Sequence, residues 1–281
     1  MTEYYFAPLE GITGCLFRQV HHRHFPQMDR YFMPFLVPHE KRTFNGKELR
    51  EMDPENNKGI WVIPQIMTNK AEDFISTARK LQNRGYEEVN LNLGCPSKTV
   101  VSKGRGSGFL AYPEQLDAFL DQIFQKLDMK ISVKTRIGVE DEEEFGRLLE
   151  IYNRYPLSEL IIHPRLQRDQ YKFPIHMEIF RQAVRDSKNV LCYNGDLTTK
   201  EEVENFQKAF PGVERIMIGR GLLRNPGLVQ EMKTGQVLSK EQLRKYHDDI
   251  YQVYQDTQCG ERNVLFRMKE LWGFMMDLFE E

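Results

Sequence analysis

Eight short runs of β-forming residues recur along this chain, and helix-like stretches separate most of them. The runs are Tyr4–Ala7, Arg30–Pro34, Trp61–Gln65, Glu88–Leu93, Ile131–Thr135, Glu159–His163, Val190–Asn194 and Arg215–Ile218. The clearest helical stretches are Ala71–Asn83, Pro113–Lys126, Glu142–Arg154 and Lys200–Ala209. Strands that alternate with helices predict parallel pairing in an α/β fold. Eight such units predict a (β/α)8 barrel of the TIM type, which needs about 250 residues; this chain has 281. The competing doubly wound sheet has fewer strands and a glycine fingerprint after the first. Here the first strand is followed by Pro8-Leu9-Glu10-Gly11-Ile12-Thr13-Gly14, which is not GxGxxG.

The alternation ends near Ser239. Leu243, Tyr246, His247, Ile250, Val253 and Tyr254 recur at helical spacing, as do Val264, Met268, Leu271, Met275 and Leu278. Ser239 with Gln242 reads as a capping-box start. Residues 1–235 are therefore expected to form the barrel, and 236–281 a short helical unit. Those two helices either cover the barrel's flank or serve a substrate.

Composition excludes several classes. The net charge of -2 gives no bulk argument for a nucleic-acid partner, so such a partner would need a local basic patch. The four cysteines (Cys15, Cys95, Cys192, Cys259) are far apart and form no CxxC pair, which supports neither zinc nor a disulfide framework. No apolar segment is long enough for a signal or a membrane span, and there is no Asn-x-Ser/Thr sequon. A cytoplasmic protein without a metal is expected.

In such barrels the C-terminal strand ends carry the chemistry. The fourth run, Glu88 to Leu93, leads into Gly94-Cys95-Pro96-Ser97-Lys98, which presents a lone thiol three residues after Asn92. A buried structural cysteine is the plain alternative; Asn92, Gly94 and Pro96 favour a functional one. The last two strand ends read Asn194-Gly195-Asp196 and Gly219-Arg220-Gly221. Barrels often bind phosphate with the loops after strands seven and eight. Glycine permits close approach of amides to an anion, and Arg220 adds a fixed charge. Lys134 ends an apolar strand at the mouth, where an ammonium can stabilise a developing anion such as a reduced flavin ring. Gln65 and His163, also at strand ends, can hydrogen-bond a heterocycle or a phosphate. Together these residues outline a site for a planar ring with a phosphate tail.

Ala7-Pro8-Leu9-Glu10-Gly11-Ile12-Thr13, Asn92-Leu93-Gly94-Cys95-Pro96-Ser97-Lys98, His163-Pro164-Arg165, Tyr193-Asn194-Gly195-Asp196 and Ile218-Gly219-Arg220-Gly221 appear in order across roughly residues 4–230. This set resembles the tRNA-dihydrouridine synthases. The resemblance implies an FMN barrel that takes hydride from NADPH and reduces the C5–C6 bond of particular uridines in tRNA. It implies that Pro8, Leu9, Glu10, Gln65, Lys134, His163, Asn194, Gly195, Asp196, Gly219 and Arg220 hold FMN, with the Leu9 contact through backbone. Cys95 would be the proton donor and Asn92 would help hold the uracil. The chain departs from the family pattern at Asn90 (an aspartate-like position), at Leu9 (usually methionine), and in a shorter helical tail.

The chemistry agrees with those roles. A thiol with an ordinary pKa of about 8.5 stays protonated at neutral pH and can act as an acid. No histidine base adjoins Cys95 in sequence, which disfavours a thiolate nucleophile. The uracil must be extruded to reach the barrel mouth. Lys98, Lys103, Arg105, Arg165, Arg168 and Lys172 lie in loops on that face and could take RNA phosphates, and Lys98, Arg165 and Arg168 are expected to bind the substrate. His21, His22 and His24 are expected at the surface or near RNA rather than on a metal. The alternative function is a flavin barrel acting on a free pyrimidine or enone.

Overall fold

In the computed structural model, which describes residues 2–38, 44–257 and 260–278, the strands form one parallel sheet that curls into a barrel. They are β1 (Glu3–Phe6), β2 (Arg30–Phe32), β3 (Val62–Ile63), β4 (Gln65–Ile66), β5 (Glu88–Leu93), β6 (Lys130–Arg136), β7 (Glu159–His163), β8 (Leu191–Tyr193) and β9 (Arg215–Ile218). The order is β3-β2-β1-β9-β8-β7-β6-β5-β4.

The two ends of that order are halves of one predicted run. Pro64 separates β3 from β4, because proline has no N–H to donate to a ladder. β3 pairs with β2 on one side and β4 with β5 on the other, so the broken strand closes the barrel. The nine short strands thus fill the eight positions the sequence predicts. Cys259 lies outside the described residues.

Side chains alternate across each strand. Along β5, Val89, Leu91 and Leu93 join the layer between strands and helices, while Asn90 and Asn92 point into the barrel toward Gln65 and Ser132. Tyr5, Phe32, Ile161, Cys192 and Met217 fill the barrel's centre. Its N-terminal end is closed by charge. Arg215 Nη1 lies 2.7 Å from Glu159 Oε1, which also accepts from the Tyr5 hydroxyl at 3.0 Å. Burial pushes the Glu159 carboxyl up to about 7, against the pull of Arg215 and Arg30.

The predicted helices form largely as expected. Pro113–Lys126 and Lys200–Ala209 match their predicted bounds, the first opened by proline at its first turn and the second by a Thr199/Glu202 capping box. The tail forms two helices, Lys240–Thr257 and Glu261–Met275. Of the predicted cap, one half is present: the Gln242 amide donates to Ser239 Oγ at 3.1 Å. Leu243, Tyr246, Ile250, Tyr254, Val264, Met268, Leu271 and Met275 are buried in the same apolar cluster as the barrel helices. No helix among the described residues is long and apolar enough to cross a membrane.

The histidine cluster corrects a sequence expectation. His21 is fully buried, with Nδ1 2.8 Å from the Tyr31 hydroxyl and Nε2 3.2 Å from the Pro226 carbonyl. Burial lowers it to about 3, so it stays neutral in the core. Its edge meets Tyr246 of the tail, and His24 meets Asp249 at 2.8 Å. His21 and His24 therefore dock the C-terminal helices on the first barrel helix, Cys15–His24, instead of facing solvent or RNA.

Candidate active site

The Cys95 turn is built from a chain of amides. Asn90 Nδ2 donates to Ser132 Oγ at 3.0 Å, and Gln65 Nε2 donates to Asn90 Oδ1 at 2.7 Å. Asn92 Nδ2 donates to Gln65 Oε1 at 2.6 Å, and Asn92 Oδ1 accepts from the backbone N–H groups of Gly94 (3.1 Å) and Cys95 (3.0 Å). A short polar side chain that caps its own following turn fixes that turn's shape. The thiol therefore stands at the end of β5 on a rigid support that reaches across three strands.

The glycine-rich loop closes on the same turn. The amide and hydroxyl of Ser107 both donate to the Cys95 carbonyl, at 3.1 and 3.0 Å. Gly106 sits at φ 56°, and a Cβ there would fall 2.7 Å from the Cys95 oxygen. Only glycine suits that contact. Burial raises the Cys95 thiol above its ordinary pKa, although Arg136 and Lys134 pull the other way. The thiol is thus protonated at neutral pH.

Lys134 is the register partner of Asn92 on the neighbouring strand. Burial, aided by the nearby Arg136 charge, lowers it to about 8. All the residues assigned to the cofactor from sequence, except Glu10 and Gln65, line one cavity of about 320 Å³ at the barrel mouth. At one end Arg220 Nη2 lies 2.7 Å from Asp196 Oδ1. Burial works against the charge on Asp196, but Arg165 and Arg220 outweigh it and hold the carboxyl below its ordinary value. Gly221 lets the two loops touch, since a Cβ there would meet the Leu197 carbonyl at 2.1 Å. Asn194 Nδ2 donates to the Met217 carbonyl at 2.8 Å and ties β8 to β9.

His163 is held far below its usual pKa by burial and by Arg136, Lys134, Arg165 and Arg220. As a neutral imidazole it accepts at Nε2 from Arg165 Nη1 (3.1 Å), which leaves Nδ1 as the donor.

Several residues sit elsewhere than expected. Gln65 lies beneath the mouth, fully buried in the amide chain. Glu10 is exposed, paired with Lys47 at 3.1 Å, and lines a different cavity. The Leu9 amide already donates to Thr13 Oγ1 at 2.8 Å, so its backbone N–H is engaged within its own turn. Arg165 is not a surface cation. It is 3% exposed, grips Asp196 with both guanidinium ends (3.0 and 2.5 Å) and donates from Nε to the Phe173 carbonyl. Lys98, Lys103, Arg168 and Lys172 are exposed, with Arg168 3.9 Å from Glu140.

Arg136 stands among the strand ends that the sequence gives for the site, with no role assigned to it, and Tyr171 is missing from them. Arg136 is fully buried and donates to the carbonyls of Gly94 (3.0 Å), Leu166 (2.7 Å) and Gln170 (2.7 Å). Tyr171 lines the same cavity of about 320 Å³, its ring about 5 Å from both the Arg136 and the Arg220 guanidiniums. Gln170, which precedes it, is the one described non-glycine residue at positive φ (51°), a conformation that often marks a functional loop. Arg136 was visible as a strand-end cation; nothing local in the sequence marks Tyr171.

The profile of the dihydrouridine synthase family (Dus) matches residues 5–268. This chain belongs to that family. Among its curated relatives, a probable tRNA-dihydrouridine synthase of Staphylococcus aureus is 25% identical over 280 residues, covering 95% of this chain and 82% of the relative. A probable tRNA-dihydrouridine synthase 2 of Bacillus subtilis is 27% identical over 276 residues, covering 95% and 83%. In fold, the chain is similar to morphinone reductase in complex with tetrahydroNAD, with a TM-score of 0.59 at 12% identity over 87% of this chain and 90% of that one. A variant of NCR from Zymomonas mobilis gives 0.58 with the same identity and coverage.

Proposed function

We propose that this dihydrouridine synthase family member reduces the C5–C6 double bond of uridines in tRNA, with FMN as its cofactor and NADPH as the reductant. The observation that carries this reading is the Cys95 turn, capped by Asn92, whose register partner Lys134 lines one cavity with Arg220. The donor set fits a phosphorylated ring. Arg220 and the glycine-bearing turns at Gly195 and Gly219 suit the phosphate, and Lys134 suits a ring that gains negative charge. A cavity of about 320 Å³ is within the usual range for such ligands. The flavin would supply hydride chemistry from that position.

The chain's own residues supply the rest. Cys95 Sγ–H donates its proton to the uracil carbon that does not take the hydride. Asn92 holds the turn that aims the thiol, and Lys134 keeps positive charge at the ring side of the mouth. His163, a neutral imidazole, lines the same cavity. Lys98, Arg168 and the other exposed cations of the rim would take tRNA phosphates around an extruded uridine.

The test is to incubate the purified protein and NADPH with tRNA lacking dihydrouridine, and to count dihydrouridine by nucleoside mass spectrometry. Dihydrouridine formed by the native enzyme but not by Cys95→Ala is expected. Reduction of free pyrimidines or enones without any of tRNA would instead favour the small-molecule reading.

A further inference from the structure

A second cavity, of about 470 Å³, opens on the other side of the β1 turn from the cofactor cavity. The division falls within that turn: Leu9 lines the cofactor side, and Glu10, whose charge reaches Cys95, lines the second cavity. Its walls come from three places. Ile12 belongs to the β1 turn, Arg50 to the helix Gly46–Met52, and Tyr254 and Arg267 to the two C-terminal helices. Arg267 Nη1 donates to the Gly11 carbonyl and so fixes the tail against the turn.

We infer that this cavity receives the nucleotide next to the target uridine in the RNA, with its base against Ile12 and Tyr254 and its phosphate on Arg50. The inference rests on the proposed tRNA reduction. A base reacting beside Cys95 is one link of a polymer, and its neighbour must pass one side of the mouth or the other. The cofactor cavity fills one side; this one opens past Leu9 and Glu10 on the other and has the volume of a small-ligand site.

Charge argues for a single nucleotide. Of the lining carboxylates, Glu51 accepts from the Cys15 amide and from Arg18, Glu48 from the Asn45 amide, and Glu10 pairs with Lys47. Arg267 is 3.7 Å from Glu270. Arg50 is exposed and forms no ion pair with a described carboxylate. Among the described residues of the lining, one cation without an ion pair, Arg50, suits one RNA phosphate with a single charge. It is a poor match for the several charges of NADPH.

The test compares Arg50→Glu and Ile12→Trp with the native enzyme in two assays. One is steady-state dihydrouridine formation on tRNA; the other is NADPH oxidation without RNA. The expected result is a KM for tRNA raised on the order of 10-fold in each variant, the scale of losing one stacked base and its phosphate contact. kcat and NADPH oxidation should stay at native values. An unchanged KM for tRNA in Arg50→Glu overturns the inference, and this exposed substitution decides the matter if Ile12→Trp does not fold. A raised KM for NADPH with an unchanged KM for tRNA also overturns it and assigns the cavity to the dinucleotide. A native enzyme that oxidises NADPH but modifies no tRNA overturns the proposed function instead, and the inference falls with it.

Discussion

Arg136 Nε donates to the Gly94 carbonyl at 3.0 Å, so the end of β6 grips the turn that carries Cys95. Its other two bonds run to Leu166 and Gln170, beside Tyr171. One buried guanidinium thus fixes the Cys95 turn and the loop that carries Tyr171 together. Lysine has no fork with which to make all three contacts.

Arg136→Lys should therefore slow uridine reduction while leaving NADPH-driven reduction of the bound cofactor close to native. A loss of roughly 10²-fold in the RNA half-reaction is expected, the usual scale for a misplaced catalytic group. Stopped-flow measurement of the two half-reactions separates them. Equal loss in both would mean that Arg136 serves the cofactor and not the Cys95 turn.

Cys95→Ala should leave cofactor binding and reduction intact and lower uridine reduction by roughly 10²–10⁴-fold. The pH dependence has a fixed sign. An acid works below its pKa, and burial raises that of Cys95, so the thiol itself keeps its proton past the ordinary thiol range. Lys134, lowered to about 8, loses its charge first as pH rises. The native profile should stay flat through neutrality and fall first near pH 8. Lys134→Arg should move that first fall to higher pH; an unmoved limb would assign it to another group.

Lys134 also tests stability against function. Its folded pKa is lowered, so the unfolded chain binds more protons between about 8 and the ordinary lysine value of 10.5, and Lys134's contribution to stability rises as pH rises through that window. Below pH 8 the buried charge is a cost. Lys134→Met should raise the Tm of the cofactor-free protein by a few degrees at pH 7 and weaken cofactor retention. A lower Tm would show that the ammonium is satisfied in the folded chain.

Arg220→Ala should release the cofactor more readily, by about 10-fold or more, because the phosphate loses its charge-assisted partner. Flavin fluorescence after dilution reads the loss directly. Retention at the native level would move the phosphate away from the β8 and β9 turns.

Much of this site was legible because it is local. The runs Glu88–Leu93, Glu159–His163 and Arg215–Ile218 match β5, β7 and β9 residue for residue, and strand ends then name the cavity wall. Long-range pairing was not legible. Nothing near Arg165 announces that Asp196, 31 residues later, will draw it under the surface. His21 could have been read better: it follows Phe17 by four residues and Val20 by one, on the buried stripe of its helix. Polarity outweighed position there. The break at Pro64 was written in the sequence, but only closure of the barrel gives it a purpose.

The tail offers the last test. Tyr246 is fully buried against Phe17, His21 and Phe25, so the two C-terminal helices share the barrel's core. Tyr246→Ala should cost about 3–5 kcal/mol, as for other large aromatics removed from a core, and deleting the chain from Ser239 should destabilise the barrel itself. Truncation therefore cannot isolate RNA binding. Charge reversal can, because Arg262 and Lys269 are exposed on the helix Glu261–Met275. That outward face also carries Leu265, Phe266 and Met276, an apolar surface interleaved with the two cations. If the face grips tRNA, the double variant Arg262→Glu/Lys269→Glu should raise the KM for tRNA and flatten its dependence on salt, since fewer counterions are released. Tm and NADPH oxidation should not move. A native KM and salt slope in that variant would leave the RNA contacts to the barrel loops and give the tail a structural task alone.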